Sequence, residues 1–293
     1  MKEKDEQRIV IFLVFAIAIS ILVLELFSIF DSRTKVVFCD VGQGDAAYLR
    51  IKNRVDVLID AGPNKKALDC LGKFMPFFDK TLEIVILSHG QKDHIGGMEH
   101  VFKRYKVKNL FYNPLPASNQ TVKQLHYLIK LYKIPVHSAL RENAISIDSS
   151  VIIFLWPSYL SLARLNKLYP NNINDLSSVF LFKEKQTEIV FTGDASYKIL
   201  ERLFRQSTDG QEYMSRLTRK PNDLYRILKI SHHGSKNGTS YNLLRLADID
   251  TGVISVGKNN SYRHPARSTL DILKAAGVKV RRTDLEGDIV FTF

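Results

Sequence analysis

Hydrophobic and polar positions divide the chain into an apolar N-terminal stretch and a long mixed region. Ile9 to Phe30 is a run of 22 residues, apolar except for Ser20, Glu25 and Ser28. About 20 such residues cross a bilayer as a helix. The run ends Glu25-Leu26-Phe27-Ser28-Ile29-Phe30, without the small-residue cleavage pattern of a signal peptide. It therefore reads as an uncleaved membrane anchor (9–30) behind a short tail (1–8). Glu25 lies near the end of the span, within reach of the interface. Lys2, Lys4 and Arg8 precede the run, Arg33 and Lys35 follow it, and the expected orientation places the N-terminus inside and the rest of the chain outside.

Almost no linker separates this stretch from the first strand. Runs rich in Val, Ile, Leu and Tyr predict strands at Lys35–Asp40, Ala46–Ile51 and Val55–Asp60. A helix is expected over Asn64–Phe74, then a short buried strand at Glu83–Leu87. Next come a helix near Gly97–Tyr105, a strand near Asn109–Tyr112 and a helix near Asn119–Tyr132. A second, similar series follows. Its strands are Val151–Trp156, Ser178–Phe182, Glu188–Phe191, Arg226–Ile230, Thr251–Val256, Val278–Arg281 and Ile289–Phe293, and its helices are Tyr197–Arg205, Tyr241–Leu246 and Ser268–Ala276. Two such series predict two sheets packed face to face with helices outside. Residues 206–223 are polar and charged and read as a surface loop.

Composition narrows this picture. With 293 residues, 45% hydrophobic, the chain can bury one large core or two fused halves. The formal charge is +12; residues 1–8 are balanced and Glu25 adds one negative charge, so the chain from Asp31 onward carries +13. A basic folded domain favours DNA or another polyanion, although a merely solvated surface has the same composition. Cys39 and Cys70, one in an apolar strand and one in a helix, read as buried small hydrophobes, with a single disulfide between them the alternative in an oxidising compartment.

The chemistry concentrates at strand ends. His89-Gly90-Gln91-Lys92-Asp93-His94 follows the Glu83–Leu87 strand, and two imidazoles and a carboxylate at that spacing can converge on one cation. Gly96-Gly97 behind them permits a tight turn. Thr192-Gly193-Asp194 ends another strand with a carboxylate, and Ser231-His232-His233-Gly234-Ser235 ends a third with two imidazoles. Three strand ends carrying ligand residues are a constellation that an incidental loop histidine does not explain. His100, His126 and His137 fit no ligand spacing and read as structural.

This pattern resembles the metallo-β-lactamase superfamily and, more narrowly, the hydrolase domain of the ComEC DNA-uptake (competence) family. The resemblance covers residues 35–293. It is carried by Asp40-Val41-Gly42-Gln43-Gly44-Asp45, Asp60-Ala61-Gly62, Ser88–Gly97, Asn174-Asp175-Leu176-Ser177-Ser178-Val179, Thr192-Gly193-Asp194, His232–Ser235, Ser255-Val256-Gly257 with Tyr262-Arg263-His264-Pro265, and Arg282-Thr283-Asp284 before Gly287. It implies an α/β fold, a four-layer αββα sandwich, which here follows the transmembrane helix expected from the apolar run 9–30. It also implies a stand-alone hydrolase domain on that anchor.

Carried over residue by residue, the resemblance gives Asp93, His94 and a histidine of the 232/233 pair to a second metal, with His232 preferred because it follows the strand directly. His233 then supports it or touches substrate. Asp194 bridges, and His89 serves a first metal. Gln91 and Asn174 stand where that first metal's other histidines belong and offer only neutral oxygens, which suit manganese better than zinc. One or two ions of Zn²⁺ or Mn²⁺ per chain are expected, with a well-made second site and a weak first one. Such a cation acidifies a bound water and offsets phosphoryl charge, which assigns chemistry to Asp93 and Asp194. His264, in the loop from Asn260 to Pro265, is placed to protonate a leaving group or bind a phosphoryl oxygen. Lys236, Lys258, Tyr262 and Arg263 line the expected substrate face, with Lys92 nearby. Asp40, Gly42, Gly44 and Asp45 read as structural, Asp45 supporting a ligand.

The leading expectation is a phosphodiesterase or nuclease acting on DNA outside the membrane. A hydrolase of another phosphodiester or ester is the second, and a degenerate DNA-binding metal-fold protein the third. A β-lactamase is disfavoured because those enzymes favour a histidine-rich first site.

Overall fold

Alternation of side chains along two sets of strands, each apolar on both faces, builds the layers. The computed structural model describes residues 2–30, 33–113, 119–141, 143–168, 173–205 and 223–293. The expected loop at 206–223 lies outside them except for Asp223.

The first sheet contains β1 (Lys35–Phe38), β2 (Ala47–Ile51), β3 (Val55–Ile59), β5 (Ile84–Ile86), β7 (Leu110–Phe111), β8 (Val136–His137) and β16 (Ile289–Thr292), in the order β16-β1-β2-β3-β5-β7-β8. The second contains β9 (Ala144–Ile147), β10 (Ser150–Trp156), β11 (Val179–Glu184), β12 (Thr187–Phe191), β13 (Tyr225–Lys229), β14 (Thr251–Ile254) and β15 (Lys279–Arg282), in the order β15-β14-β13-β12-β11-β10-β9. A short pair, β4 (Thr81–Leu82) and β6 (Lys106–Val107), stands beside them. Each sheet is antiparallel in one half and parallel in the other, the parallel half beginning at β3/β5 and at β12/β13.

Strand alternation distributes three apolar layers. Val36, Phe38, Leu49, Val57 and Ile86 of the first sheet meet Phe154, Phe180, Phe182, Phe191 and Ile227 of the second in the central layer. The opposite faces, such as Val37, Tyr48, Leu58 and Val85, pack under α2 (Lys66–Phe74), α4 (Met98–Arg104) and α5 (Gln120–Leu131). Leu181, Val190, Leu228 and Ile254 pack under α7 (Tyr197–Arg205), α8 (Tyr241–Ala247) and α9 (Arg267–Ala275). Burial on both faces is why these strands read as continuous apolar runs. The four-layer sandwich is as expected. Sequence patterning did not anticipate β9, which is only four residues long, or α6 (Tyr159–Leu168).

Three features refine the expectations. The helix α1 (Lys2–Phe30) extends over the whole expected anchor. Its large apolar side chains from Ile9 to Ile19 are exposed, Phe12 at 73%. Among the described residues, which leave out the side chains of 21–30, no helix is long and apolar enough to cross a membrane. Cys39 and Cys70 are buried in the core as expected, but they are joined in a disulfide with a Cα–Cα distance of 5.8 Å, not separate thiols. The Gly96-Gly97 pair makes no special turn: both residues have ordinary helical φ, −60° and −76°. They are needed for close approach. A Cβ on Gly97 would lie 2.2 Å from the Ala61 carbonyl oxygen, and one on Gly96 2.6 Å from that of Pro63. This seats the His94 segment against the Asp60–Asn64 loop.

Candidate metal centre

The parallel strands point their C-terminal ends to one side of the sandwich, where side chains from several loops can meet. Asp60 follows β3, and Ser88 and His89 follow β5. Asp93 and His94 ride on α3 (Lys92–Ile95), a single turn begun by Gln91. Asp194 follows β12, the His232–His233 pair follows β13, and Ser255 follows β14. The histidine pair forms a tight turn, with φ of 51° at His232 and 53° at His233. Two successive non-glycine residues in the left-handed region are uncommon and held there by their surroundings.

Ligand atoms of Asp93, His94, Asp194 and His233 all lie within 4.8 Å of one another. His94 Nε2 is 3.2 Å from Asp194 Oδ1, and His233 Nε2 is 3.3 Å from Asp93 Oδ2. The far ring nitrogens are fixed from behind. His94 Nδ1 contacts Asp60 Oδ2 at 2.8 Å, and Asp60 itself accepts from Ser88 N and Oγ at 2.8 and 2.6 Å. His233 Nδ1 contacts the Ser255 carbonyl oxygen at 3.0 Å, with Asp45 Oδ1 at 3.3 Å. These contacts set the tautomers so that both Nε2 atoms face the cluster, the usual arrangement around a bound cation. His89 Nε2, His94 Nε2 and both Asp194 carboxylate oxygens are buried without a hydrogen-bond partner. Unpartnered buried polar atoms are costly. Their convergence, with mixed imidazole and carboxylate donors, fits a divalent cation such as Zn²⁺ or Mn²⁺.

Charges behind the cluster balance it. Lys229, at the end of β13, is 3% exposed, pairs with Asp45 and donates to the Gly193 carbonyl oxygen at 3.0 Å. Burial alone would raise the Asp45 carboxyl, but Lys229, His233 and His94 hold it well below the usual range. Burial likewise opposes ionisation of Asp194, and His94 and His233 overcome it, leaving the group well below its ordinary value. Burial would lower His94, yet Asp194, Asp60 and Asp45 raise it well above 6.5. His233 is raised to about 9 because Asp45 and Asp194 outweigh its burial. His89 goes the other way, to about 4, through burial and the neighbouring His94.

A pH dependence follows. A histidine raised from 6.5 to about 9 stabilises the metal-free fold fully below pH 6.5 and loses that contribution as pH rises towards 9. A cation needs the same imidazole deprotonated. Metal binding is therefore expected to release protons, and the gain in thermal stability on adding metal to grow from pH 6.5 to 9. Unfolding curves with and without chelator across that range test this; a gain that shrinks with pH contradicts it.

The structure brings together most of the residues expected from sequence, in a somewhat different arrangement. His233, not the preferred His232, lies in the four-residue cluster. His232 is half-buried beside it, Nε2 3.7 Å from Asp194 Oδ2. His89 Nε2 lies 3.9 Å from the same oxygen. Gln91 and Asn174 face each other, Gln91 Nε2 donating to Asn174 Oδ1 at 2.6 Å, and Asn174 Nδ2 is 3.4 Å from His232 Nδ1. His264 stands edge-on to His232 at 5.8 Å between centroids, and Tyr262, 67% exposed, stacks on His264 at 5.8 Å. Asn260 holds this loop by hydrogen bonds to the Gly257 and His264 carbonyl oxygens and from His264 N. Lys92, Lys236, Lys258 and Arg263 are exposed. His126 rests beside Tyr112, and His137 on Phe111. Lys229, Ser88 and Ser255 had no assigned role in the sequence reading. Lys229 left a signal, a charge inside an apolar strand.

A cleft of about 280 Å³ opens on this side, lined by Asn174, Asp194, Ser196, Lys198, His232 and Asn237 among others. The fold is that of the metallo-β-lactamase superfamily. The YhfI protein of Bacillus subtilis, a metallo-β-lactamase-fold protein, superposes with a TM-score of 0.57 at 13% identity, covering 89% of this chain and 99% of that one. Zinc-bound PqqB from Methylobacterium extorquens gives 0.52 at 9% identity, covering 88% and 99%. In sequence the chain resembles the ComEC-type competence proteins. It is 28% identical over 280 residues to ComE operon protein 3 of Bacillus subtilis, covering 90% of this chain and 33% of that protein. It is 26% identical over 268 residues to competence protein ComA of Neisseria gonorrhoeae, covering 89% and 32%. It is 25% identical over 263 residues to recombination protein 2 of Haemophilus influenzae, covering 87% and 28%. The chain thus spans about a third of the length of these relatives. No family model matches it.

Proposed function

We propose that this protein is a metal-dependent phosphodiesterase that cuts DNA, held at the membrane by residues 9–30 with its sandwich on the extracytoplasmic side. The observation that carries this reading is the convergence of Asp93, His94, Asp194 and His233 beneath an open cleft, with buried ligand atoms left unpartnered. A divalent cation there would supply Lewis-acid chemistry at neutral pH. The four residues would hold it, and Asp60 and Ser255 fix the imidazoles from behind. His264, whose pKa is lowered by burial and by His232, is neutral near pH 7. It can therefore orient a phosphoryl oxygen or pass a proton at the cleft rim. Lys198 lines the cleft, and the exposed Lys236, Lys258 and Arg263, in the loops that carry Asn237 and His264, are suited to a phosphate backbone. The charge of +13 beyond the apolar stretch supports a polyanion, and the names of two relatives, a competence protein and a recombination protein, favour DNA. The exposed apolar side chains of α1 support the anchor. The disulfide suits an oxidising compartment.

Incubating the full chain with labelled single- and double-stranded DNA and Mn²⁺ or Zn²⁺, beside Asp93→Ala, tests this. Metal-dependent cleavage lost in the variant is expected. Turnover of small diesters alone redirects the substrate, and DNA binding without turnover under either metal overturns the enzymatic reading.

A further inference from the structure

The end of the sandwich away from the metal centre carries an exposed apolar feature of its own. β2 is antiparallel to both β1 and β3, and β3 pairs with β5 in parallel, so β1, β3 and β5 run the same way. Their N-terminal ends share the side opposite to the candidate ligands. The chain enters the sandwich on that side, at Thr34 and Lys35. The turn from α2 into β4, residues 76–80, meets it there. Asp79 Oδ2 of this turn lies 3.6 Å from Arg50 Nη1, and Arg50 is the cross-strand partner of Lys35. At the tip stand Phe77 and Phe78, 75% and 58% exposed, their rings edge to face at 5.6 Å. The turn is tied from within. Asp79 N donates to the Pro76 carbonyl oxygen at 3.0 Å, and Lys80 Nζ donates to that of Phe77 at 2.6 Å. Large apolar side chains held outward on an ordered turn mark a surface that meets a partner. Exposed cations flank it on the same side: Lys80, Lys106 of β6 beside Thr81 of β4, and Lys133 before β8.

We propose that this end of the sandwich rests on an anionic lipid bilayer, with Phe77 and Phe78 entering the interface and the lysines lying over the headgroups. Two observations select a bilayer as the partner. The first is the tether. Four residue steps (30 to 34) separate the end of α1 from Thr34, and fully extended they span about 14 Å at most. With 9–30 as the anchor, the entry side of the sandwich cannot stand further than that from the membrane. The second is chemical. Apolar rings enter the boundary between headgroups and acyl chains, and neighbouring cations are drawn to anionic lipid. The proposal rests on the anchor reading of residues 9–30, and on no particular metal or substrate. It also sets the orientation of the site. The candidate ligands sit beyond the far ends of the strands, about 17 Å away along the five residues of β3. The cleft then stands clear of the headgroups, accessible to a polymer arriving from solvent.

The test reads tryptophan fluorescence of the full chain in vesicles of phosphatidylcholine with and without phosphatidylglycerol, using brominated acyl chains as contact quenchers. Trp156 is the single tryptophan of the chain. It ends β10, which runs with β12, so it lies on the metal-centre side, where its Nε1–H donates to the Asp175 carbonyl oxygen at 2.7 Å. Wild type is therefore expected to show no quenching, and an unchanged Trp156 signal reports that a variant has folded. Phe77→Trp and Phe78→Trp should each add fluorescence that brominated lipid quenches. Quenching should be greater with phosphatidylglycerol and weaker in 1 M salt, where the Debye length falls to about 3 Å. Lys80→Glu with Lys106→Glu, placed in the Phe78→Trp protein, should reduce it by roughly half or more. Flotation with the vesicles after a salt wash separates the two readings. Protein that floats while both added tryptophans stay unquenched overturns the docking alone. Protein that does not float overturns the anchor and removes the tether on which this proposal stands. A blue shift of the added tryptophan that follows protein concentration, and not bromination, assigns the turn to a second copy. One that follows added DNA assigns it to a polyanion, and either result overturns the bilayer as its partner.

Discussion

Asp194→Asn is expected to remove bound metal and to reduce hydrolysis by at least ~10³-fold, or about 4 kcal/mol in the barrier. The side chain is 2% exposed, and neither carboxylate oxygen has a hydrogen-bond partner, although its backbone N donates to Ser177 Oγ at 3.1 Å. The carboxylate therefore contributes little to the scaffold by hydrogen bonding. What it supplies is a negative charge between His94, 3.2 Å away, and the His89 and His232 rings. Asparagine keeps the shape and the backbone contact but loses that charge and one strong donor. The metal-free variant should fold, since asparagine matches aspartate in volume and Asp60 and Asp45 still face His94. Metal content and cleavage rate, measured beside a chelated unfolding curve, decide the matter. An Asn variant that keeps both its metal and its rate would refute the assignment.

The second large effect is expected from the disulfide. Cys39→Ala/Cys70→Ala should lower stability by about 3–4 kcal/mol, from the loop-closure entropy restored to the unfolded chain by a cross-link spanning 31 residues. Alanine suits the buried apolar positions, so little packing loss adds to this. The cross-link ties the end of β1 to α2, and the chain between them carries Asp45 and Asp60, which stand behind His233 and His94. Looser closure should therefore also weaken metal binding. Urea unfolding of the oxidised protein, the reduced protein and the double variant measures both effects. A double variant within 0.5 kcal/mol of wild type would show that the bridge is idle. That threshold is about the scatter of neutral substitutions.

How far the sequence reached can be traced through individual residues. Strand positions were legible because β2, β3, β11 and β13 are buried on both faces and leave mainly apolar runs, broken only by charges such as Arg50, Asp56 and Arg226. The cluster of Asp93, His94 and Asp194 was legible because chemically specific residues sit directly after such runs. β9 was not, because an alternation of only four residues, Ala144–Ile147, is too short to stand out. The disulfide was not, since two cysteines 31 residues apart in a strand end and a helix meet only when α2 packs on the first sheet.

The sequence by itself therefore determined the four-layer architecture, the strand ends that carry the candidate ligands and the strongly basic charge. Those follow from local patterning and residue type. Only the tertiary structure decided which member of the His232–His233 pair turns inward, because that depends on two left-handed φ angles and on the Ser255 carbonyl of a separate strand. It alone placed Gln91 against Asn174, 83 residues apart in sequence, and Lys229 against Asp45 behind the cluster. Side-chain direction and long-range pairing are set by packing between layers, and no window of sequence contains both partners.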